Sequence, residues 1–321
     1  ARSLLANTQV IEPSMFHLDS WAGRIQYSSH VTQLFWVPHH AFAGWTFMLF
    51  YLRWRKELMG APALAIVFGV CLLWSPLAMI GALPFLMFAM IVDFLRSRIR
   101  LTSVVAPACV AAATIPPFLF LIIDSGNVEN GTFIFQSSFW QIYLVFLAVE
   151  IGPFYLIVRA SPLDRTLTER AELVLLFGLL ALLPAFYVGF SNDLTMRASI
   201  PALALLAVLV FEQIQLAFAE RRRARIWMTA VVAIGAATPA FEIARTFILP
   251  SQRFSTCNLL QAWRLSPWTY VSMAPYLARD SNNNVEWLLN RPDQPPLKDA
   301  ASKCGEAYTA PVLLRQAPTK V

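Results

Sequence analysis

Long apolar stretches separated by short polar loops make up most of this sequence. Each is long enough to cross a lipid bilayer, which takes about 20 residues. They cover residues 31–52, 61–92, 101–123, 138–158, 173–190, 198–219 and 226–249. Hydrophobic residues make up 57% of the chain and charged residues only 14%, against about 25% charged residues in an ordinary soluble domain. The sequence therefore predicts an all-α integral membrane protein.

The second stretch, 61–92, is too long for one crossing. As a single helix it would reach about 48 Å, whereas the hydrocarbon core of a bilayer is about 30 Å thick. We expect a hairpin of two short helices that breaks near Ser75-Pro76 or between Gly81 and Pro84. The chain then has about eight transmembrane helices.

The basic residues indicate which loops face the cytoplasm, because short cytoplasmic loops of membrane proteins collect Lys and Arg. Four clusters hold 13 of the 25 basic residues: Arg53/Arg55/Lys56, Arg96/Arg98/Arg100, Arg159/Arg165/Arg170 and Arg221/Arg222/Arg223/Arg225. With eight crossings all four fall on one side. The pattern predicts a multi-pass protein of the bacterial inner membrane, and it explains the net charge of +6 without a nucleic-acid partner.

This topology divides the chain into three parts. Residues 1–30 form an extracytoplasmic segment, 31–249 the transmembrane helical domain, and 250–321 an extracytoplasmic C-terminal tail. The start lacks the pattern of a signal peptide, so we expect the chain to be the C-terminal portion of a longer protein. Cys257 and Cys304 lie in the tail, where an oxidising compartment permits a disulfide, while Cys71 and Cys109 fall in apolar helices as small core residues.

Polar residues gather in the N-terminal segment, "SMFHLDSWAGRIQYSSHVTQLFWVPHHAF". His39, His40 and Asp19 are candidates for acid–base catalysis, and Trp36 and Gln33 for substrate binding. The alternative is that the histidines only form hydrogen bonds at the membrane interface.

Pro38 suits the first turn of the helix that carries His39 and His40. Neighbouring helical residues point about 100° apart, so these two imidazoles cannot easily hold one metal ion. One is expected to face the protein interior and the other the lipid headgroups.

A second polar group lies in "GFSNDLTMRASIPAL", residues 189–203. Asp193 and Arg197 are four residues apart at a helix start, a spacing that favours a salt bridge. Arg197 with the neighbouring Asn192 is equally a candidate phosphate site, because a guanidinium and a helix N-terminus both favour anions.

Four charged residues lie within the apolar stretches: Glu150, Glu212, Glu242 and Arg245. Glu212 lies nearer the inner end of its helix and is expected to be structural. Glu242 and Arg245 are three residues apart and most simply pair with each other. Glu150 has no such helix partner, so it should face the bundle or water as a site carboxylate or a protonated structural acid.

"WVPHHAFAGW" at the mouth of a helix, followed by "SNDLTMRASIPAL" in a late outer loop, resembles bacterial polytopic membrane proteins of the GT-C-like glycosyltransferase type. The resemblance implies an all-helical fold that transfers a sugar from a polyprenyl-phosphate-linked donor on the outer face. Arg197 would bind the donor phosphate, with Asn192, Asp193, His39 and His40 as further site members.

In such enzymes an acidic residue in the first outer loop commonly acts as the catalytic base. This sequence has no clear counterpart, and Asp19 is the only early outer carboxylate besides Glu12. The implied partners are the lipid bilayer and the lipid-linked sugar donor, and the sequence is also compatible with a protein partner subunit. No cofactor is required, although a divalent metal is compatible with the resemblance.

The sequence also allows other functions. It contains no nucleotide-binding, metalloprotease or serine-hydrolase motif. A non-catalytic membrane subunit, or a transporter or flippase of lipid-linked or polysaccharide substrates, is the main alternative. An intramembrane hydrolase built on Ser28, Ser29 and His30 is a weaker one, because adjacency in sequence is not triad geometry.

Overall fold

The structure is a computed structural model that describes residues 17–123, 130–135, 139–161, 164–189, 192–220 and 223–248. Glu12 and the C-terminal tail with Cys257 and Cys304 lie outside the described residues. The chain divides into two compact units, of which the larger comprises residues 1–119 and 128–248.

The described chain is mostly helical. Its α-helices are α1 (His30–Trp36), α2 (Pro38–Arg55), α3 (Ala61–Trp74), α4 (Pro76–Leu95), α5 (Leu101–Ile123), α6 (Phe139–Glu150), α7 (Gly152–Arg159), α8 (Leu167–Leu182), α9 (Asp193–Ala198), α10 (Ile200–Ala219), α11 (Ala224–Gly235) and α12 (Ala237–Ile248). Two short strands, β1 (Asn130–Thr132) and β2 (Phe186–Val188), pair antiparallel.

Ser75 separates α3 from α4, which confirms the predicted break in the long second stretch. Pro76 occupies the first turn of α4, where a missing N–H costs nothing. The Ser75 hydroxyl accepts a hydrogen bond from the Ala78 amide at 3.2 Å and so caps the new helix. Pro38 opens α2 in the same way, as its position predicts.

The ends of two other stretches differ from the prediction. The 31–52 stretch divides at Val37, because the residue before a proline avoids the helical conformation. The 173–190 stretch ends its helix at Leu182 and continues through a short 3₁₀ turn into β2. Phe186, Tyr187 and Val188 are residues that favour strands, and β1 supplies the partner.

Within the part of the chain that the structure describes, four helical segments are long and apolar enough to cross a membrane: Pro76–Leu95, Thr102–Leu119, Ile200–Ala219 and Ala224–Phe247. Helices α6 and α7, bent by 43°, make a fifth if they are counted as one span, and α3 is a shorter apolar helix. Only 6% of Thr102–Leu119 and 11% of Ala224–Phe247 is buried inside the protein. Because apolar helices this exposed need an apolar surrounding, the chain is a multi-pass membrane protein.

The exposure of α5 corrects one prediction. Cys109 is exposed on this helix rather than part of the core, since little of the protein packs around it. Cys71 on α3 is buried, as expected.

The best-packed part of the bundle joins α2, α3, α4, α9 and α10. Two glycines allow the close approach. A Cβ at Gly44 of α2 would lie 2.5 Å from Ile200 Cγ2, and one at Gly81 of α4 would lie 1.7 Å from the carbonyl oxygen of Ala198. The loop and helix that carry Arg197 therefore pack directly on the backbone of α4.

Contacts between basic loops gather at one end of the bundle. Arg98 donates to Glu57 at 3.0 Å, and Arg96 donates to both Glu57 and Thr168. The loops after α2, after α4 and before α8 thus meet, and each carries one of the predicted cytoplasmic clusters.

Candidate functional site

Asn192 organises the turn that leads into α9. Its backbone is left-handed, with φ of 56°, and its side chain is fully buried. The amide Nδ2 donates to the backbone oxygen of Arg24 at 3.0 Å and to Thr195 Oγ1 at 2.8 Å, while Oδ1 caps the Thr195 amide. Asn192, predicted as a substrate-binding residue, holds the site in shape through contacts inside the protein.

Asp193 and Arg197 form the salt bridge that their spacing favours. Arg197 Nη2 lies 2.8 Å from Asp193 Oδ1, and both side chains are largely buried. Burial raises the pKa of Asp193 above its ordinary value of 3.8, although the Arg197 guanidinium opposes the shift. An anion that approaches the Arg197 guanidinium therefore meets the buried Asp193 carboxylate already bound to it.

His39 and His40 differ in exposure, as consecutive helical residues should. His40 is 7% exposed and its Nδ1 hydrogen-bonds Ser75 Oγ at 2.6 Å, whereas His39 is exposed. The two rings are 3.8 Å apart between centroids. Arg197 is close enough to act electrostatically on both imidazoles.

These contacts define one polar site, called here the Arg197 cluster: His39, His40, Ser75, Asp193 and Arg197. It forms where the start of α2, the α3–α4 break and α9 meet. The sequence places its members in three separate segments, and the structure brings them together.

Gln33 and Trp36, predicted to bind substrate, tether α1 instead. Gln33 is fully buried and donates to the backbone oxygen of Ser28 at 2.7 Å. The Trp36 indole donates to Glu242 at 3.1 Å, 206 residues away. Glu242 also lies 3.5 Å from Arg245, which confirms that predicted pair.

Arg24 is a residue that sequence reasoning left without a role. Its guanidinium lies 4.5 Å from the ring centroid of Tyr187, and its Nη2 donates to the Gly189 oxygen at 3.2 Å. Together with the bond from Asn192, these contacts attach the N-terminal segment to the turn before α9. No local sequence pattern predicts these contacts, since they join residues more than 160 positions apart.

Asp19 lies at the polar end of a cavity of about 710 Å³. The side chain is only 4% exposed, yet neither carboxylate oxygen makes a hydrogen bond of normal geometry with the described residues. Burial raises the pKa of this carboxyl above its usual range, although the nearby Thr32 side chain, the charge of His17 and the Ser29 backbone oppose the shift.

Glu150 shares the polar end of the cavity with Asp19. It accepts a hydrogen bond from the Trp21 indole at 2.7 Å, and the two carboxylates are near enough to repel each other. Ser28, Ser29 and His30 complete the polar end. The remaining walls are mostly apolar side chains of α6, α7, α10, α11 and α12. This cavity is called here the acidic cavity.

No group of three or more His, Cys, Asp or Glu side chains in the described ranges is placed to hold a metal ion.

The fold and the two sites define a class, a multi-pass helical membrane protein with buried polar groups at helix ends. No family model matches the chain, and no curated protein or solved structure matches it either.

Proposed function

We propose that this protein is a GT-C-like membrane glycosyltransferase that takes a sugar from a polyprenyl-phosphate-linked donor on the extracytoplasmic face of the inner membrane. In this proposal the chain crosses the membrane eight times, through α2, α3, α4, α5, α6 with α7, α8, α10, and α11 with α12. The basic loops then lie in the cytoplasm, the Arg197 cluster, the N-terminal segment and the tail lie outside, and the acidic cavity extends between the spanning helices α6, α7, α10, α11 and α12.

The observation that carries the proposal is Asp19. A carboxylate that is almost fully buried without a hydrogen-bond donor costs folding energy, so its position calls for a functional reason. It lies at the end of a long apolar cavity, which suits a reaction at the head of a lipidic substrate.

The proposed roles follow from the chemistry of the groups. Asp19 accepts the proton of the acceptor hydroxyl as that oxygen attacks the anomeric carbon of the sugar. The bond from the anomeric carbon to the phosphate oxygen breaks, and Arg197 stabilises the charge on the departing polyprenyl phosphate. A base with its pKa raised towards neutrality accepts a proton more effectively than an ordinary aspartate.

The other members of the Arg197 cluster position that guanidinium. Asp193 holds it by the 2.8 Å contact, and Asn192 fixes the turn in which both lie. His39, exposed beside the buried His40, is available to donate a hydrogen bond to the phosphate.

Binding of a polyprenyl phosphate to the purified protein tests the donor site, with the corresponding polyprenol as the neutral control. Loss of a charge-assisted contact costs about 1.5 to 3 kcal/mol, so Arg197→Ala should bind the phosphate lipid about tenfold to 150-fold more weakly. His39→Ala should lose less. Equal binding by the wild type and both variants, no tighter than for the polyprenol, would refute the donor site.

A transfer assay tests the catalytic step separately. Asp19→Asn should keep the affinity for polyprenyl phosphate but lose transfer of a labelled hexose from its polyprenyl-phosphate carrier to membrane lipid. Glu57→Gln, at an exposed carboxylate among the basic loops, is the matched control and should keep both properties.

The bent pair of helices α6 and α7 favours a second candidate, a transporter or flippase of lipid-linked substrates. Glu150 is the last residue of α6, beside the 43° bend and within the acidic cavity. Broken helices that meet at a charged site are typical of transporters. Movement of a labelled lipid-linked sugar across proteoliposomes without any transfer product would favour this function over the transferase.

A further inference from the structure

The polar end of the acidic cavity is rich in hydrogen-bond acceptors and poor in donors. Both oxygens of Asp19 lack a donor among the described residues. The indole N–H of Trp21 is already used by Glu150. The hydroxyl of Ser28 accepts from Gln26, and that of Ser29 accepts from the Thr32 amide. The serine O–H groups remain donors, but neither is bonded to Asp19, so a ligand that satisfies the Asp19 oxygens must bring donors of its own.

The charge at this end is also one-sided. Asp19 and Glu150 contribute two carboxylates. The neighbouring Glu242 has Arg245 at 3.5 Å and His17 at 3.0 Å, so both basic groups are paired with that acid, although His17 also acts electrostatically on Asp19. A phosphate in the acidic cavity would meet like charge, whereas an ammonium group would supply three donors and a compensating charge.

The rest of the acidic cavity determines the size and polarity of the part of the ligand beyond its head group. Its volume of about 710 Å³ falls in the range of about 300 to 1,000 Å³ that small-molecule sites occupy. Leu206, Val210 and Ile214 of α10 line the cavity together with Phe154 and Val231. This lining accepts an alkyl or isoprenoid chain and offers such a chain no polar contact.

We propose that the acidic cavity binds an amphiphile with a single apolar chain and a primary-amine head group, the ammonium lying between Asp19 and Glu150. This ligand is not the acceptor of the proposed transfer: an ammonium held by Asp19 occupies the carboxylate that would act as the base, so the amine would compete with the acceptor, and its binding does not depend on the proposed function. The donor phosphate lies at the Arg197 cluster, and the amine-bearing lipid occupies a separate site of opposite charge.

Calorimetric binding of three 12-carbon probes to the whole chain in uncharged nanodiscs tests the inference. The probes are dodecylamine, dodecanol and dodecyl phosphate. Dodecylamine should bind at least about tenfold more tightly than dodecyl phosphate, since one charge-assisted pair is worth about 1.5 kcal/mol or more. Asp19→Asn should remove most of that preference, and Glu57→Gln should leave it intact.

Two further variants keep the result decisive. If Asp19→Asn fails to fold, Glu150→Gln tests the same preference from the other carboxylate. Ala207→Phe fills the cavity from an exposed position on α10 and should weaken binding of dodecylamine and dodecanol alike.

Dodecyl phosphate binding as tightly as dodecylamine, or an amine preference that survives in both carboxylate variants, would overturn the inference. Neither result bears on the binding of polyprenyl phosphate at Arg197. If polyprenyl phosphate does not bind there, the predicted preference of the acidic cavity for an amine is unaffected. The two proposals can therefore fail independently.

Discussion

Replacing Gly81 by alanine should destabilise the protein strongly, because α4 and α9 touch backbone to backbone at this position. The new Cβ would lie 1.7 Å from the carbonyl oxygen of Ala198 and 2.6 Å from its carbonyl carbon. To reach 3.0 Å, below which real Cβ contacts are essentially never found, the two segments must separate by about 1.3 Å. Main-chain atoms cannot make room by a rotamer change.

The expected cost follows from that displacement. Overpacking against side chains costs about 1 to 3 kcal/mol, and a clash with main chain belongs at or above the upper end of this range. We expect Gly81→Ala to lower the free energy of unfolding in mixed micelles by about 3 kcal/mol. It should also weaken polyprenyl phosphate binding, since Ala198 follows directly on Arg197.

Gly178→Ala is the matched control. Gly178 lies inside α8, and a Cβ there meets nothing within 4 Å. Alanine in a helix interior is favoured over glycine by about 0.5 to 1 kcal/mol, so this variant should be as stable as the wild type or slightly more so. If Gly81→Ala has the same free energy of unfolding as Gly178→Ala, then α4 and α9 do not approach each other as closely as described.

Three further substitutions test other contacts. Asn192→Ala should cost about 2 kcal/mol in unfolding free energy, because it removes the cap and the bond to Arg24 and puts alanine in a left-handed conformation. Asn192→Gly should lose less, and a larger loss for glycine than for alanine would contradict this reasoning. Tyr51→Phe should cost about 1.5 kcal/mol by removing the 2.8 Å bond to Glu172, and unchanged unfolding would refute that estimate. Asp19→Asn should flatten the pH dependence of stability. The raised pKa of Asp19 favours folding most below the ordinary value of 3.8, and this contribution is lost as the pH rises through the folded-state pKa. Parallel curves of unfolding free energy for wild type and variant between about pH 4 and pH 7 would contradict this prediction.

Features that depend on one segment of chain, or on the thickness of a membrane, could be predicted from the sequence. The break at Ser75 follows from a stretch too long for one crossing. The pairs Asp193–Arg197 and Glu242–Arg245 follow from helical spacing, because residues three or four apart share a face.

Features that depend on the packing of distant segments could not be predicted. Trp36 meets Glu242 across 206 residues, and Asn192 meets Arg24 across 168. The ribbon of β1 and β2 has only three residues in each strand, too few for an alternating pattern to show. The acidic cavity draws its walls from several helices, so Asp19 could be named from the sequence but its unpaired state could not.

The pairing of Arg197 with Asp193 gives the donor site a dependence on pH. A phosphate that binds Arg197 competes with the Asp193 carboxylate, 2.8 Å away, and brings a second negative charge beside it. Burial already raises the pKa of Asp193 above 3.8, so a nearby phosphate raises it further and the carboxylate takes up a proton on binding. Affinity should therefore increase as the pH falls.

A polyprenyl phosphodiester is the suitable probe for this dependence, because a phosphomonoester itself titrates near pH 6. His39 is exposed beside Arg197, and its protonation would act in the same direction. Asp193→Asn separates the two sources, since it removes the carboxylate and leaves both imidazoles. If wild type and Asp193→Asn gain affinity equally between about pH 7 and pH 5, the proton is taken up elsewhere and Asp193 does not compete for Arg197.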